Sequence, residues 1–456
     1  MPLTASSRIV VHPGPSLSGT VSPPGDKSIT HRAYILAALA DGNTTVEEPN
    51  PGADCDSTLA CLEALGAEVR REPGRVTIRG CGMRFSKPEG LLDCGNSGTT
   101  LRLLAGPLAA QPFRSTLAGD ASLNRRPVDR VIEPLRMMGA RLTAQGGDRV
   151  PPLQIEGGPL QPIDYDVRTN SAQVASCILL AGLFAPGTTT IRIGMARDHT
   201  QNMLSAFGVA VEVHDAGSAS AEGRAFAVTG PAGLRATSLR VPGDVSSAAF
   251  FLAAAAATPG ATVTAENMGL NPTRTGLLHA LQSMGAEVQI QKTATEAGEP
   301  IGTITVQGPA TLRALPDAPL ESWSRAMPSM IDEIPALAIA AARARGTSRI
   351  RGARELRVKE SDRIAALATN LRRLGVEVDE HDDGLSIHGG RLRGGTVDAA
   401  GDHRIAMAFA VAGTLAEGPV TVTGAREIAT SYPGFVDALR SLGAEVDLPE
   451  EDALAR

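Results

Sequence analysis

Aromatic side chains are scarce in this chain, with one Trp, three Tyr and nine Phe among 456 residues. The interior must therefore be filled by Ala, Leu, Val and Ile. At this length the chain exceeds what one hydrophobic core holds, which argues for two domains of roughly 200 residues each. Cysteine is sparse as well. Cys55, Cys61, Cys81, Cys94 and Cys177 are odd in number and contain no C-x-x-C pair, so neither a disulfide framework nor a zinc site is indicated, and a reducing, cytoplasmic setting is expected. Basic charge is not in excess. A formal net charge of −6 argues against nucleic-acid binding, because a phosphate backbone is met by a strongly basic surface. Long apolar runs are missing too: the stretches 405–416 and 248–257 fall short of the roughly 18 residues a membrane helix needs. The opening MPLTASSRIVVHPGPSLSG lacks the basic stretch and apolar segment of a signal peptide. No membrane partner is expected.

Glycine, by contrast, is plentiful at 49 residues, and six of these glycines sit in one recurring phrase. LGAEV, MGARL, FGVAV, MGAEV, LGVEV and LGAEV place Gly66, Gly139, Gly208, Gly285, Gly375 and Gly443 at intervals of about 70 to 90 residues. Each phrase follows an amphipathic stretch such as DSTLACLEALG and precedes alternating residues such as AEVRREPGRVTIRG, which reads as helix, C-cap glycine, strand and hairpin. Upstream of each lies a second helix-like run, for example VSSAAFFLAAAAATPG, leading into a short β segment. The unit is helix, strand, helix, strand, strand. Three units per half predict an α/β protein of two similar domains, with a cut near residue 239.

The chemistry-bearing residues gather at the predicted helix starts, where free backbone N–H groups and the helix dipole favour anions. PPGDKSITHR puts Lys27, Ser28 and Arg32 in or beside a first turn, and VPGDVSSAAF repeats its Pro-Gly-Asp turn, with Gly25 and Gly243 equivalent, but lacks the cations. DCGNSGTTLR places Gly95, Asn96, Ser97, Gly98 and Thr99 at a helix start where small residues let an anion approach the backbone. Arg125 and Arg126 precede Pro127, which suits position N1 of the next helix. RTNSAQ makes Ser171 a cap followed by Ala172 and Gln173, and Arg197 stands before a further helix. Later units supply Asp332 and Glu333 in MPSMIDEIP, Lys359, Glu360 and Arg363 in ELRVKESDR, and His403 and Arg404 in GDHRIAM. Each motif alone has a blander reading, as capping or solvated charge. Together they place cations at equivalent ends of a repeat architecture in an acidic chain. Two basic half-sites across a cleft would suit small anionic ligands, with Asp332 and Glu360 as proton carriers.

GDKSITHR, GNSGTTLR, GDASLNRRP, NSAQ, LNPTRTG, PSMIDE, LRVKESDR and DHRIAM, in that order over nearly the whole chain, resemble the enolpyruvyl transferases, and within them the branch acting on shikimate 3-phosphate. The resemblance implies two α/β domains, each of three βαβαββ-type units, closing on substrates in the cleft between them. The domains would be 22–238, and 1–21 with 239–456, the opening SRIVVHPG giving a strand to the second. It further implies that Ser28, Arg32, Ser171, Ala172, Gln173, Arg197, Asp332 and Lys359 hold shikimate 3-phosphate, and that Lys27, Gly98, Arg126, Gln173, Arg363 and Arg404 hold phosphoenolpyruvate. Asn96 and Thr99 join the substrate-binding set at the same helix start. Asp332 is implied as the base at the substrate 5-hydroxyl, and Glu360 as proton donor and acceptor at C3 of phosphoenolpyruvate, with Lys27 assisting. No metal or organic cofactor is expected, and a monomer is.

Many members carry a Lys where IATSYPGF reads Thr430, which removes one expected phosphoenolpyruvate contact. RTNSAQ and ARDHT look like the bacterial branch noted for tolerance of glyphosate, yet Gly98 leaves room where tolerant members often have Ala, so binding of glyphosate is expected. The sister transferase acting on UDP-N-acetylglucosamine usually carries a reactive Cys in a loop of its first half. FRSTLAGDASLNRRP contains none. A non-catalytic anion-binding scaffold would be free to lose its carboxylates or cations, and Lys27, Asp332, Glu360, Arg363 and Arg404 are all present.

Overall fold

The computed structural model describes residues 8–215 and 223–449. Residues 1–7, which begin the segment weighed as a signal peptide, lie outside it. The chain divides into two compact units. The first comprises 25–241 together with 295–299, and the second takes the described residues up to 24, 242–294 and those from 300 onward. The short stretch 295–299, at the tip of a hairpin, counts with the first unit because Glu299 accepts hydrogen bonds there from His199 Nδ1 (2.8 Å) and Asn202 Nδ2 (3.0 Å).

Helices of the first unit come in pairs: α1 (Lys27–Leu39) and α2 (Ala53–Ala64), α3 (Gly98–Ala109) and α4 (Asp129–Met137), α5 (Ala172–Gly182) and α6 (His199–Ala206). Each second helix ends one residue before a repeat-phrase leucine, methionine or phenylalanine, and Gly66, Gly139 and Gly208 behind these residues adopt φ of 98°, 99° and 85°. Only glycine enters this left-handed region without steric cost, which is why the phrase keeps its glycine. Odd-numbered helices are buried nearly all round, and α1 is buried from Ile29 to Leu39. Close packing there needs small residues: a Cβ on Gly106 of α3 would meet the Cys177 carbonyl of α5 at 2.3 Å.

Each pair serves a four-stranded sheet of the same plan. In the first, Ser238–Arg240 runs parallel to Asn43–Glu47, followed by antiparallel Arg75–Arg79 and Glu68–Glu72. Leu92–Asp93, Arg114–Ala118, Val150–Glu156 and Arg141–Ala144 repeat that order and sense, as do Asp164–Asp166, Gly187–Ile193, Arg224–Gly230 and Glu212–Asp215.

The second unit repeats the helix pairs with α7 (Val245–Ala256), α8 (Gly276–Ser283), α9 (Ile334–Arg343), α10 (Arg363–Arg373), α11 (His403–Leu415) and α12 (Phe435–Ser441), but its middle sheet, Thr347–Ile350, Gly384–His388 and Glu377–His381, has three strands. Gly285, Gly375 and Gly443 take φ of 101°, 82° and 101°. Its last sheet orders Gly395–Asp398, Val420–Thr423, Arg8–Val11 and Val446–Asp447, so the opening strand occupies the place that a hairpin strand fills elsewhere. Four of the few aromatics meet in this core: Phe251 stacks on Phe435 at 5.2 Å, with Phe250 and Tyr432 edge-on to Phe435. Among the described residues no helix is long and apolar enough to cross a membrane.

Candidate active site

Helix α1 starts on the Asp26 cap, whose carboxylate accepts the Ile29 amide at 2.9 Å. Lys27 Nζ lies 2.8 Å from Asp54 Oδ2 of α2, with both side chains mostly buried. Arg32, only 3% exposed, is oriented on three sides: Nε donates to Thr200 Oγ1 (2.8 Å), Nη2 to Ser176 Oγ (2.9 Å) and Nη1 to the Ser28 carbonyl (2.9 Å). Arg197 Nη1 reaches Ser28 Oγ at 3.3 Å. Ser28, Arg32 and Arg197 thus form one group across α1 and the approach to α6. Thr200 and Ser176 support it, and Asp54 supports Lys27, without any of the three having been singled out in the sequence. Ser176 stands four residues after Ala172 on the face of α5, a spacing that could have flagged it; Asp54 had no such signal.

At the start of α3, Ser97 caps the helix by accepting the Thr100 amide at 3.1 Å. The adjacent arginines separate in fate: Arg125 is exposed, whereas Arg126 is 8% exposed. Arg126 Nη2 donates to Asn96 Oδ1 (2.5 Å) and Ser122 Oγ (3.1 Å), and Nη1 to the Asn96 carbonyl (3.3 Å). From α5, whose cap is Ser171, Gln173 Nε2 donates to Thr99 Oγ1 at 2.9 Å. Gln173 Oε1 accepts from Arg102 Nη1 at 2.8 Å, and Arg102 Nη2 donates to the Pro127 carbonyl at 2.9 Å. Arg102 is the cation that sequence reading missed, since its place inside α3 carries no turn signal. A Cβ on Gly98 would meet Arg102 Nη1 at 2.7 Å. Pro127 does not take N1 as expected: α4 begins at Asp129 behind Val128, and Arg102 holds the Pro127 carbonyl outside the helix.

The second unit gathers the remaining predicted residues around one buried guanidinium. The KESDR run is not a solvated face, because Arg363 is 1% exposed. Its Nε donates to Asp402 Oδ2 (2.7 Å), its Nη2 to Glu360 Oε2 (2.6 Å) and its Nη1 to Asp332 Oδ1 (3.2 Å). Burial pulls the pKa of Arg363 down, but the charges of Asp402, Glu360 and Asp332 outweigh it and raise it above the ordinary value. Lys359 Nζ is 3.6 Å from Asp332 Oδ1, and Arg404 donates from Nη1 to the Asp332 carbonyl (3.1 Å) with Nη2 4.0 Å from Oδ2. Asp332 therefore sits among three cations. Asp402 also caps α11, bonding the Arg404 amide at 2.8 Å.

Glu333 plays a different part from its neighbour. Fully buried, it accepts from Ser246 Oγ, which Arg274 Nη2 also reaches at 2.6 Å while bonding Asp244, the cap of α7, at 3.0 Å. This is packing chemistry at the unit's own helix starts. Thr430 spends its hydroxyl on the Glu427 carbonyl (2.7 Å) within the turn Ala425–Thr430. Among the described residues no group of three or more His, Cys, Asp or Glu could hold a metal ion.

Six repeats folded into two α/β units, with cations at the helix starts, define the enolpyruvyl transferase class of fold. Within that class, the model of the EPSP synthase (3-phosphoshikimate 1-carboxyvinyltransferase) family matches residues 11–447, and the chain belongs to this family. It is 46% identical over 432 residues to the 3-phosphoshikimate 1-carboxyvinyltransferase of Geobacillus kaustophilus, covering 94% of this chain and 98% of that one. The Akkermansia muciniphila enzyme of the same name is 49% identical, covering 92% and 96%. A solved structure of EPSP synthase from Acinetobacter baumannii superposes with a TM-score of 0.83 at 41% identity, covering 96% of this chain and 99% of that chain.

Proposed function

We infer that this chain catalyses the reaction its family is named for: transfer of the enolpyruvyl group of phosphoenolpyruvate to the 5-hydroxyl of shikimate 3-phosphate, with release of phosphate, in the shikimate pathway toward aromatic amino acids. The observation that carries the reading is the sharing of Arg363 by Asp332 and Glu360, two carboxylates held ready by a cation that cannot itself give up a proton. Asp332 takes the proton of the 5-hydroxyl as its oxygen attacks C2 of phosphoenolpyruvate, and Glu360, entering this step as the carboxylic acid, delivers its proton to C3. The tetrahedral adduct then loses that C3 proton to Glu360 while the bond from C2 to the phosphate oxygen breaks. Lys27, tied to Asp54, assists on the leaving phosphate.

Substrate binding follows from the same groups. Ser28, Arg32, Arg197, Ser171, Ala172 and Gln173, with Asp332 and Lys359, hold shikimate 3-phosphate; Lys27, Asn96, Gly98, Thr99, Arg126, Gln173, Arg363 and Arg404 hold phosphoenolpyruvate. Guanidinium pairs suit phosphate and carboxylate because they bind both oxygens at once. Holding two reactants in line contributes about 7–11 kcal/mol in favourable cases, with no covalent intermediate needed. The protein works as a cytoplasmic monomer in this reading; five cysteines without a disulfide suit a reducing compartment. Phosphate release, measured with phosphoenolpyruvate in the presence and absence of shikimate 3-phosphate beside Glu360→Gln, tests it. Release that needs both substrates and collapses in the variant is expected. Release driven instead by UDP-N-acetylglucosamine would overturn it.

A further inference from the structure

A run of hydrogen bonds inside the first unit has no part in the chemistry above, yet it ends beside the residues that perform it. His31 on α1, Thr58 on α2 and Thr100 on α3 are all fully buried. His31 Nδ1 lies 2.6 Å from Thr58 Oγ1, Thr58 Oγ1 lies 2.6 Å from Thr100 Oγ1, and Thr100 donates to Ser97 Oγ at 2.7 Å. A hydroxyl has one proton to give. Thr100 gives its proton to Ser97, so it accepts from Thr58; Thr58 then accepts from His31, whose Nδ1 carries the proton. The other acceptor near Thr58, the Asp54 carbonyl, is more distant at 3.5 Å.

Every donor consequently points the same way, from α1 toward the cap of α3, and hydrogen bonds aligned head to tail strengthen one another. His31 Nε2 is buried with no hydrogen-bond partner, which fits a bare lone pair there and a proton on Nδ1. Burial holds the imidazole neutral, pushing its pKa well below the ordinary value, with Lys27 and Arg32 adding to the effect and Asp26 opposing it. Lys27 stands one turn before His31 on α1, and Ser97 directly precedes Gly98. Apolar side chains would fill the same space but leave the helices free to slide. Bonds of fixed length do not.

We propose that His31, Thr58 and Thr100 are positioning residues that set the first turn of α3 against α1, and thereby set the spacing of Lys27 and Gly98 that phosphoenolpyruvate requires. The inference rests on the assignment of phosphoenolpyruvate to those two helix starts. Thr58 is the central link. Thr58→Val keeps its shape and removes both bonds, whereas Thr58→Ser keeps the hydroxyl.

Steady-state phosphate release, with each substrate varied against a saturating level of the other, reads the effect. Thr58→Val should raise KM for phosphoenolpyruvate about 5- to 20-fold, leave KM for shikimate 3-phosphate within about twofold, and be rescued by Thr58→Ser. An unmoved KM for phosphoenolpyruvate overturns the proposal, and so does an equal rise in both KM values, which would mark a run that only holds the core. If Thr58→Val does not fold, Thr100→Ala cuts the same run at its α3 end with a residue favourable to helix, and the same two outcomes decide. A parent protein that releases no phosphate sinks the functional reading and this inference with it; an active parent with an unmoved variant sinks the inference alone.

Discussion

The helix starts of the two units are built on one plan, but the guanidinium groups of Arg32, Arg102 and Arg126 and that of Arg363 are hydrogen-bonded to different kinds of partner. In the first unit, the hydrogen bonds that orient Arg32, Arg102 and Arg126 end on hydroxyl, amide and carbonyl oxygens of Ser28, Thr200, Ser176, Gln173, Pro127, Asn96 and Ser122. In the second, those of Arg363 end on three carboxylates. Hydroxyl, amide and carbonyl oxygens orient a guanidinium; carboxylates orient it and also compensate its charge. In the proposed reading both units hold substrate, and the second adds the two carboxylates that move protons. One repeated scaffold can therefore perform both tasks, because the task is decided by a few residues at each helix start.

The comparison breaks most sharply if the carboxylates are neutralised. Glu360→Gln and Asp332→Asn should each lower kcat by about 10²- to 10⁴-fold while calorimetry still detects both substrates. Replacing a cation of the first unit should act on binding instead. Arg32→Ala is expected to raise KM for shikimate 3-phosphate, and Arg126→Ala that for phosphoenolpyruvate, by about 10- to 100-fold with a smaller change in kcat; a pure kcat effect would erase the distinction.

A gentler probe is Gly98→Ala. Its new methyl group crowds Arg102 Nη1, which is itself tied to Gln173 and Pro127, so inhibition by glyphosate should weaken and KM for phosphoenolpyruvate rise by about 3- to 10-fold. Unchanged inhibition would place glyphosate elsewhere.

Stability offers a probe that involves no substrate. His31 is buried neutral, with Lys27, Arg32 and Asp26 as its charged neighbours, and its folded pKa lies well below the ordinary 6.5. The unfolded chain therefore binds a proton first as pH falls. The stabilising contribution is complete above pH 6.5 and is lost below it, by up to about 1.4 kcal/mol per pH unit until the folded pKa is reached. Thermal melts between pH 7.5 and 5 should show a shallower acid loss in His31→Asn than in the parent; equal slopes would assign the loss to other groups.

Much of this is legible in the sequence. The six repeat-phrase glycines mark six helix ends because no other residue takes a φ near +100° cheaply, and that local rule needs no tertiary context. The capping residues Asp26, Ser97, Ser171 and Asp402 could be read the same way, since a cap acts on amides two or three residues ahead. Pro127 shows where local rules stop: its expected N1 position gave way to a carbonyl held by Arg102, a partner 25 residues away.

The sequence by itself thus determined the repeat, the helix starts and the types of side chain placed at them, because these depend on neighbours within a few residues. Which cation meets which partner was decided only by tertiary structure. Adjacent Arg125 and Arg126 differ in burial, Glu333 serves packing beside Asp332, the proposed base, and Arg363 in an ordinary-looking KESDR run becomes the buried centre of three carboxylates. Burial and long-range pairing depend on where distant segments of the chain pack, and no window of adjacent residues contains that information.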